Sequence, residues 1–327
     1  MKALLKNTQA YRLLKKENEE NTCSHAYLLV YNDTKNLRFA LKEFAKILFS
    51  CDEADGYDRD DEEKVRIAKL IDEDSYSDCL LFPAADKKLA VEDAETIKEE
   101  SLLSPIEGTR KVFLIGDFAE ANTQTQNKLL KLLEEPPAGV IFLLGTTTVF
   151  PVLSTVLSRT KKMEILPFSV DDVKTCLSRI YGNKYDNATL ELCAAASGGI
   201  IGEAQNVLEG EAYKILIESA FSLCLCEESK LAIAVKNIGE TKQKKELLSL
   251  LRLIFRDSLL CKLEKDAFES KILLRSEKEK IKKIAGMYSL TALLYAQEAI
   301  SEAEKQVRFN AVFPQCIELC IAKIRKK

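Results

Sequence analysis

Histidine is nearly absent from this sequence, in which His25 is the only one among 327 residues. With no second histidine, zinc sites and acid–base schemes built on imidazole gain little support. We expect His25 to pack or to form a hydrogen bond at the start of a strand. Cys176, Cys193 and Cys224 also have no histidine within motif range, which argues against a cysteine-nucleophile enzyme.

Cysteine pairs with the C-x-x-C spacing are missing as well. The ten cysteines are scattered singly, apart from Cys224/Cys226 and Cys316/Cys320, and several lie in apolar stretches. A thiol in such a stretch behaves as a small hydrophobic side chain. We therefore expect reduced cysteines in the core rather than disulfides.

The sequence also lacks an excess of positive charge and long apolar runs. Its 48 Lys and Arg residues face 51 Asp and Glu residues, which gives a formal net charge of -3. No overall basic field attracts nucleic acid, so DNA contact must come from a local patch or from partners. No run reaches the roughly 18 apolar residues of a membrane span, and the first seven residues become polar too soon for a secretory signal. These features predict a cytoplasmic protein with no membrane partner.

Acidic residues are concentrated in one short segment. Eight of the twelve residues from Asp52 to Glu63 are acidic. Part of the segment fits the register of an EF-hand loop, but Cys51 stands at the first calcium ligand and no helix pair flanks the loop. A solvated acidic insertion is therefore favoured over a calcium site.

The first half of the chain alternates between strand and helix patterns. A parallel sheet covered by helices on both faces is typical of this alternation. The predicted strands cover 26–31, 79–82, 111–115 and 140–144, and the predicted helices cover 35–49, 91–101 and 123–135.

From Pro167 onward the strand patterns stop and the chain reads as helical to its end. Ser169 is a helix cap before a helix to residue 180, and further helices are predicted over 187–196 and 201–208. We expect three domains: an α/β domain at 1–165, a small helical domain at 166–210 and a larger helical domain at 211–327.

The most specific motif lies between the last two predicted strands. Residues 127–137 read Asn-Lys-Leu-Leu-Lys-Leu-Leu-Glu-Glu-Pro-Pro, and Leu157-Ser158-Arg159 follows the next strand. This pattern closely resembles the signature of the clamp-loader branch of the AAA+ nucleotidases. The resemblance implies an AAA+ P-loop-like parallel sheet domain, a small helical lid and a C-terminal helical collar.

In the register of this family, the residues that bind ATP are replaced. A P-loop needs glycines whose N–H groups wrap the phosphates, a lysine that reaches the outer phosphates and a hydroxyl on magnesium. The family's glycines fall here on Tyr31, Thr34 and Asn36, its lysine falls on Leu37, and its hydroxyl falls on Arg38. The resemblance therefore implies a degenerate Walker A loop.

Three further positions of the family's nucleotide site are changed. The Walker B magnesium carboxylate and the catalytic glutamate fall on Gly116 and Asp117, and the sensor-2 arginine falls on Gly202. A triphosphate without metal compensation is disfavoured beside Asp117. We therefore expect no cofactor. Zinc is not expected either, because only Cys51 and Cys79 remain where the family usually carries a four-cysteine module.

One residue of the family's chemistry is present. Ser158 and Arg159 fall where the family carries an arginine finger that reaches ATP on the neighbouring subunit, although Thr160 replaces a cysteine. A guanidinium can neutralise charge that develops on a γ-phosphate. The plain alternative is a solvated basic run that continues through Lys161 and Lys162.

The helix of the signature also suggests a DNA contact. Lys128 and Lys131 lie on its exposed face if Leu129, Leu130 and Leu133 are buried. In an assembled loader this face would lie toward DNA phosphates, and a solvated lysine pair is the equally acceptable alternative.

The resemblance implies an ATP-silent subunit of the bacterial DNA polymerase III clamp loader. It implies contacts with gamma/tau-type ATPase and delta subunits through residues 211–327 and Arg159, and with the sliding clamp and primed DNA inside the complex. Catalysis by the chain itself is not expected, so it would be a non-catalytic subunit of a DNA-directed DNA polymerase holoenzyme. The alternatives are an AAA+ ATPase with an unorthodox nucleotide site, and a free-standing scaffold derived from the loader.

Overall fold

The computed structural model describes residues 1–52, 59–85, 87–209, 213–238, 244–264, 271–309 and 311–327. The chain divides into two compact units, Met1–Pro167 and Phe168–Lys327. The first boundary lies two residues after the predicted one. The further division between a lid and a collar stays a prediction, and residues 210–212 at that point lie outside the described ranges.

The first unit is an α/β domain. Its strands are β1 (Ala26–Tyr31), β2 (Cys79–Phe82), β3 (Lys111–Ile115), β4 (Val140–Thr146) and β5 (Lys161–Ile165). Its helices are α1 (Lys2–Lys6), α2 (Gln9–Glu19), α3 (Leu37–Leu48), α4 (Arg59–Asp72), α5 (Val91–Ser101), α6 (Thr123–Glu134) and α7 (Ser154–Leu157).

All five strands form one parallel sheet in the order β2-β3-β4-β1-β5. Every residue of β1, β3 and β4 is buried, because helices cover both faces of a parallel sheet and leave no polar face. On one face Phe113 and Phe142 stack with ring centroids 5.3 Å apart. The parallel order brings the carboxyl ends of all strands to one edge and their amino ends to the opposite edge.

Gly145 allows α3 to lie close to the other face of this sheet. A Cβ atom at this position would come within 2.9 Å of a Leu41 methyl carbon and 3.2 Å of a Leu37 methyl carbon. Real Cβ atoms do not approach so closely, so a glycine in β4 is what permits the contact. The start of α3 is thereby placed next to the carboxyl ends of β1 and β4.

The predicted strands agree with β1 to β4, but β5 is absent from the sequence prediction. In β5 only Met163 and Ile165 are buried, and the other three residues, Lys161, Lys162 and Glu164, are exposed. The alternating strand lies at the sheet edge beside β1. Its lysines read as a basic run in the sequence, which hid the period of two.

Among its described residues, the second unit is helical throughout. Its helices are α8 (Val170–Tyr181), α9 (Asn187–Ala196), α10 (Ile201–Glu209), α11 (Tyr213–Leu225), α12 (Leu231–Ile238), α13 (Lys244–Leu263), α14 (Lys278–Met287), α15 (Leu290–Arg308) and α16 (Phe313–Arg325). The predicted cap is confirmed, since the Ser169 hydroxyl accepts a hydrogen bond from the Asp172 N–H at 3.1 Å. The core of this unit contains five apolar residues of α13, which are Leu247, Leu248, Leu251, Ile254 and Phe255.

The remaining composition-based expectations concern cysteine, histidine and the acidic segment. All ten cysteines lie in described residues as free thiols, seven of them buried, and burial raises the pKa of Cys51 to about 12. His25 forms a hydrogen bond through Nε2 with the Leu133 carbonyl at 2.9 Å.

The acidic segment lies between two helices. Residues 53–58, which make up half of the considered calcium loop, lie outside the described ranges. The expectation that no helix pair flanks this loop is wrong, because α3 ends at Leu48 and α4 begins at Arg59.

Two kinds of feature, a cluster of metal-binding side chains and a membrane-spanning helix, are absent from the described residues. Outside the masked positions, the chain holds no group of three or more His, Cys, Asp or Glu side chains that could hold a metal ion. Within the same described ranges, no helix is both long enough and apolar enough to cross a membrane.

Candidate functional site: a degenerate nucleotide loop and an exposed arginine

The loop between β1 and α3 contains a buried carboxylate. The exposed fraction of Asp33 is only 2%. Its oxygens accept hydrogen bonds from the Asn36 backbone N–H at 3.1 Å, from the Asn36 side-chain amide at 2.8 Å and from the Tyr31 hydroxyl at 3.1 Å. The carboxylate thus organises the turn that leads into α3.

Asp33 places negative charge where a P-loop would bind it. In a P-loop, backbone N–H groups before the helix wrap the phosphates of a nucleotide. Here the Asn36 N–H donates to a carboxylate of the same loop. The sequence analysis did not single out Asp33; its available signal was an acid in the turn just before the helix, where acidic side chains accept backbone hydrogen bonds.

Leu37 and Arg38 stand at the family's lysine and magnesium-hydroxyl positions, and their side chains fill the space beside this turn. Leu37 is buried and lies against Gly145. Arg38 donates from Nη2 to the Pro83 carbonyl at 2.5 Å and to the Ala84 carbonyl at 3.3 Å. Its Nε lies 3.4 Å from the position that a Cβ of Gly116 would occupy. A guanidinium therefore covers the end of β3, where the resembled family needs a magnesium ligand.

Asp117 follows Gly116 at the same edge of the sheet. Its Oδ2 accepts a long hydrogen bond of 3.5 Å from the Thr147 hydroxyl, while its Oδ1 is buried with no hydrogen-bond partner in the described part of the chain. Burial raises the pKa of this carboxyl above its usual value. This carboxylate is therefore poorly solvated.

A magnesium nucleotide is the group that the resembled family would hold at this edge. These residues do not fit it. The loop already contains the carboxylate of Asp33, the lysine position is the apolar Leu37, and Gly116 offers no side-chain oxygen ligand. A polyanion would be repelled by the buried carboxylate of Asp33. In the second unit, Gly202 in α10 has no side chain that could supply the missing sensor-2 charge.

Arg159 lies at the opposite end of the sheet, near the amino ends of the parallel strands. It follows α7 and precedes the amino end of β5, whereas the degenerate loop follows the carboxyl end of parallel β1. A strand of five residues spans about 16 Å. Within one chain, the turn after β1 and Arg159 are therefore separated by roughly that distance. The structure therefore groups the replaced Walker residues together and keeps Arg159 apart from them.

The guanidinium of Arg159 is partly exposed and held by its own chain. Its Nε donates to Glu134 Oε1 at 2.6 Å, and Nη2 contacts the same oxygen. Its Nη1 donates to the Thr155 carbonyl at 2.8 Å and to the Ser158 hydroxyl oxygen at 3.2 Å. Thr160, in place of the family's cysteine, donates its hydroxyl to the Val156 carbonyl at 3.0 Å. The turn that presents the arginine is thus fixed by hydrogen bonds.

The two lysines of the signature helix differ in their surroundings. Both lie on the exposed side of α6, but Lys128 forms an ion pair with Glu95 of α5. Lys131 is exposed and forms no ion pair with any described residue. Of the two, Lys131 is the one whose charge is available to an outside anion.

A family model matches the first half of the chain. The model described as DNA polymerase III, delta subunit, matches residues 6–169, which is half of the chain. The chain belongs to this family. The expected fold class, a P-loop-like parallel sheet domain followed by helices, is confirmed for this member of the AAA+ clamp-loader family.

Curated relatives of this clamp-loader family member are named as subunits of DNA polymerase III. DNA polymerase III subunit gamma of Buchnera aphidicola (subsp. Schizaphis graminum) is 31% identical over 136 residues, which cover 40% of this chain and 38% of that protein. DNA polymerase III subunit tau of Bacillus subtilis is 26% identical over 263 residues, which cover 73% of this chain and 46% of that protein. The chain thus spans less than half the length of these relatives.

Solved structures of similar proteins have lower identity. A gamma subunit-related protein of DNA polymerase III from Thermotoga maritima is 18% identical with a TM-score of 0.43, and the match covers 98% of this chain and 99% of that one. The Bacillus subtilis DNA clamp loader delta protein is 12% identical with a TM-score of 0.34, covering 97% and 99%. The fold assignment therefore depends on the sheet topology and the family match.

Proposed function

We propose that this family member is a delta-prime-type subunit of the DNA polymerase III clamp loader, which binds no ATP and offers Arg159 to ATP on a neighbouring subunit. The observation that carries the proposal is the position of the two features on the sheet. The closed loop lies at the carboxyl edge and Arg159 lies near the amino edge. An arginine so placed cannot serve the pocket of its own chain.

In this proposal, the lack of ATP binding at the turn between β1 and α3 has an electrostatic cause. Asp33 holds a buried negative charge inside the loop, and its hydrogen bonds to Asn36 and Tyr31 stabilise that charge. A triphosphate would have to displace the carboxylate and then lie beside it. With the apolar Leu37 in the lysine position, the ammonium group that would offset this repulsion in the resembled family is missing from that position.

Arg159 has the chemistry of a finger supplied in trans. A guanidinium remains charged at all relevant pH values and forms directed hydrogen bonds to phosphate oxygens. Such fingers accelerate hydrolysis by about a thousand-fold or more in comparable nucleotidases. The partly exposed side chain at the end of a short helix is accessible to a phosphate outside its own chain.

The partners in this proposal are the other subunits of the loader. We propose that residues 211–327 bind gamma/tau-type and delta subunits, so that the chain acts as a rigid stator of the ring. The assembled complex would then open the sliding clamp and place it on primed DNA, with Lys131 near DNA phosphates. The names of the curated relatives support this assembly.

The proposal is tested by reconstituting the loader with Arg159→Ala. The expected result is a fall of at least tenfold in DNA-stimulated ATP hydrolysis, because the finger stabilises charge in the transition state. Lys162→Ala is the matched control, since Lys162 belongs to the same basic run and pairs at the surface with Glu164. An equal effect of both substitutions, or no effect of either, would contradict the finger and favour an ordinary basic run.

A further inference from the structure

Glu134 holds the guanidinium of Arg159 across a gap of 25 residues in sequence. It is the last residue of α6, and Glu135 separates it from the two prolines that end the signature. The Nε of Arg159 donates to its Oε1 at 2.6 Å, and Nη2 contacts the same atom. The signature helix and the turn that carries Arg159 are thus joined through one ion pair.

The other contacts of Arg159 divide its hydrogen-bond donors into two groups. Nη1 donates to the Thr155 carbonyl and to the Ser158 hydroxyl oxygen, and Nε donates to Glu134. Four of the five N–H groups are therefore directed at the chain itself, because Nε and one N–H of Nη2 both face Glu134. The second N–H of Nη2 has no hydrogen-bond partner among the described residues. It is the donor left for an oxygen anion outside the chain.

The position of Glu134 is not explained by the stability of its helix. A carboxylate in the last turn faces the negative end of the helix macrodipole, where a basic residue is preferred. The pair is also partly exposed, with 32% of the Arg159 and 43% of the Glu134 side chain accessible. Pairs of this kind contribute little to folding. What the contact does restrict is the rotamer of a long and otherwise mobile side chain.

We infer that Glu134 is a positioning residue for Arg159, an inference that rests on the proposed function. It fixes the edge of the guanidinium formed by Nε and Nη2, so that the remaining N–H of Nη2 is presented to the γ-phosphate of the neighbouring subunit without a further loss of side-chain freedom. A group that orients a finger affects the transition state more than the bound ground state. Removal of Glu134 therefore lowers kcat and leaves KM for ATP nearly unchanged.

The test compares Glu134→Ala, Glu134→Gln and Glu135→Ala in the reconstituted loader. We expect Glu134→Ala to lower kcat about tenfold, because an unheld arginine populates many rotamers. Glu134→Gln keeps an oxygen that accepts from Nε and is expected to recover kcat to within about threefold of the parent chain. Glu135→Ala is the matched control, as Glu135 is an exposed neighbouring carboxylate with no side-chain contact to Arg159 among those described.

A double substitution separates positioning from a general effect. The Arg159→Ala, Glu134→Ala chain is expected to be no slower than Arg159→Ala alone, because Glu134 acts only through the arginine. Additive losses, an unchanged kcat for Glu134→Ala, or a faster reaction would overturn the inference. If Arg159→Ala slows hydrolysis while Glu134→Ala does not, the inference fails and the proposed function stands. If Arg159→Ala has no effect, the proposed function fails first.

Discussion

Asp117 is a poorly solvated carboxylate at a position that the resembled family uses for catalysis. It stands at the end of β3, where the family carries the glutamate that activates water. Here one of its oxygens is buried without a hydrogen bond, and burial raises its pKa. A charge left in such surroundings lowers the stability of the folded chain.

We predict that Asp117→Asn stabilises the protein at neutral pH by about 1 kcal/mol, the usual scale for one unpaired buried polar group. Because the folded pKa is raised, the carboxylate costs stability at pH values above its unfolded pKa of about 4. Below about pH 4 the carboxyl is protonated in both states, and the gain from Asn should vanish. Urea unfolding at pH 7 and at pH 3 measures the difference, and an equal gain at both values would contradict the prediction.

Among the structural elements, the turn between β1 and α3 differs most from its family pattern. A P-loop is ordered by glycines and by its bound phosphates, whereas this turn is ordered by its own carboxylate at Asp33. Order without a ligand is what a rigid subunit requires. The start of α3 is held from the other side by its packing on Gly145.

We predict that Asp33→Ala destabilises the chain by about 1–3 kcal/mol, because the donors of Tyr31 and Asn36 lose a buried acceptor. Asn32→Ala is the control in the same turn, since Asn32 is exposed. Its effect should stay within about 0.5 kcal/mol. Both values come from urea denaturation of the full chain. Equal stability of the two variants would show that the carboxylate does not order the turn.

The same elements show what could be predicted from sequence. Buried parallel strands such as β1 and β3 are continuous apolar runs, so their bounds were predictable, as was the helix cap at Ser169. The edge strand β5 was hidden because half of its residues are exposed lysine and glutamate. The burial of Asp33 and the pairing of Glu134 with Arg159 depend on contacts that no local pattern encodes, so only the structure reveals them.

At the scale of the whole molecule, the sheet of the first unit places the Asp33 turn and Arg159 near opposite ends of its strands. The carboxyl edge is closed by Asp33, Leu37 and Arg38, and the region near the amino edge still presents Arg159. The parallel order of the strands keeps the two apart. A member of a clamp-loader family with this arrangement would complete the site of a neighbour while having none of its own.

The central claim is that the chain's own groups exclude nucleotide, and calorimetric titration of the full chain with magnesium ATP tests it most directly. The account predicts no saturable binding up to millimolar ATP, whereas a gamma/tau-type ATPase subunit titrated under the same conditions binds. Saturable binding by this chain, weakened when Leu37 is replaced by a bulkier residue, would contradict it.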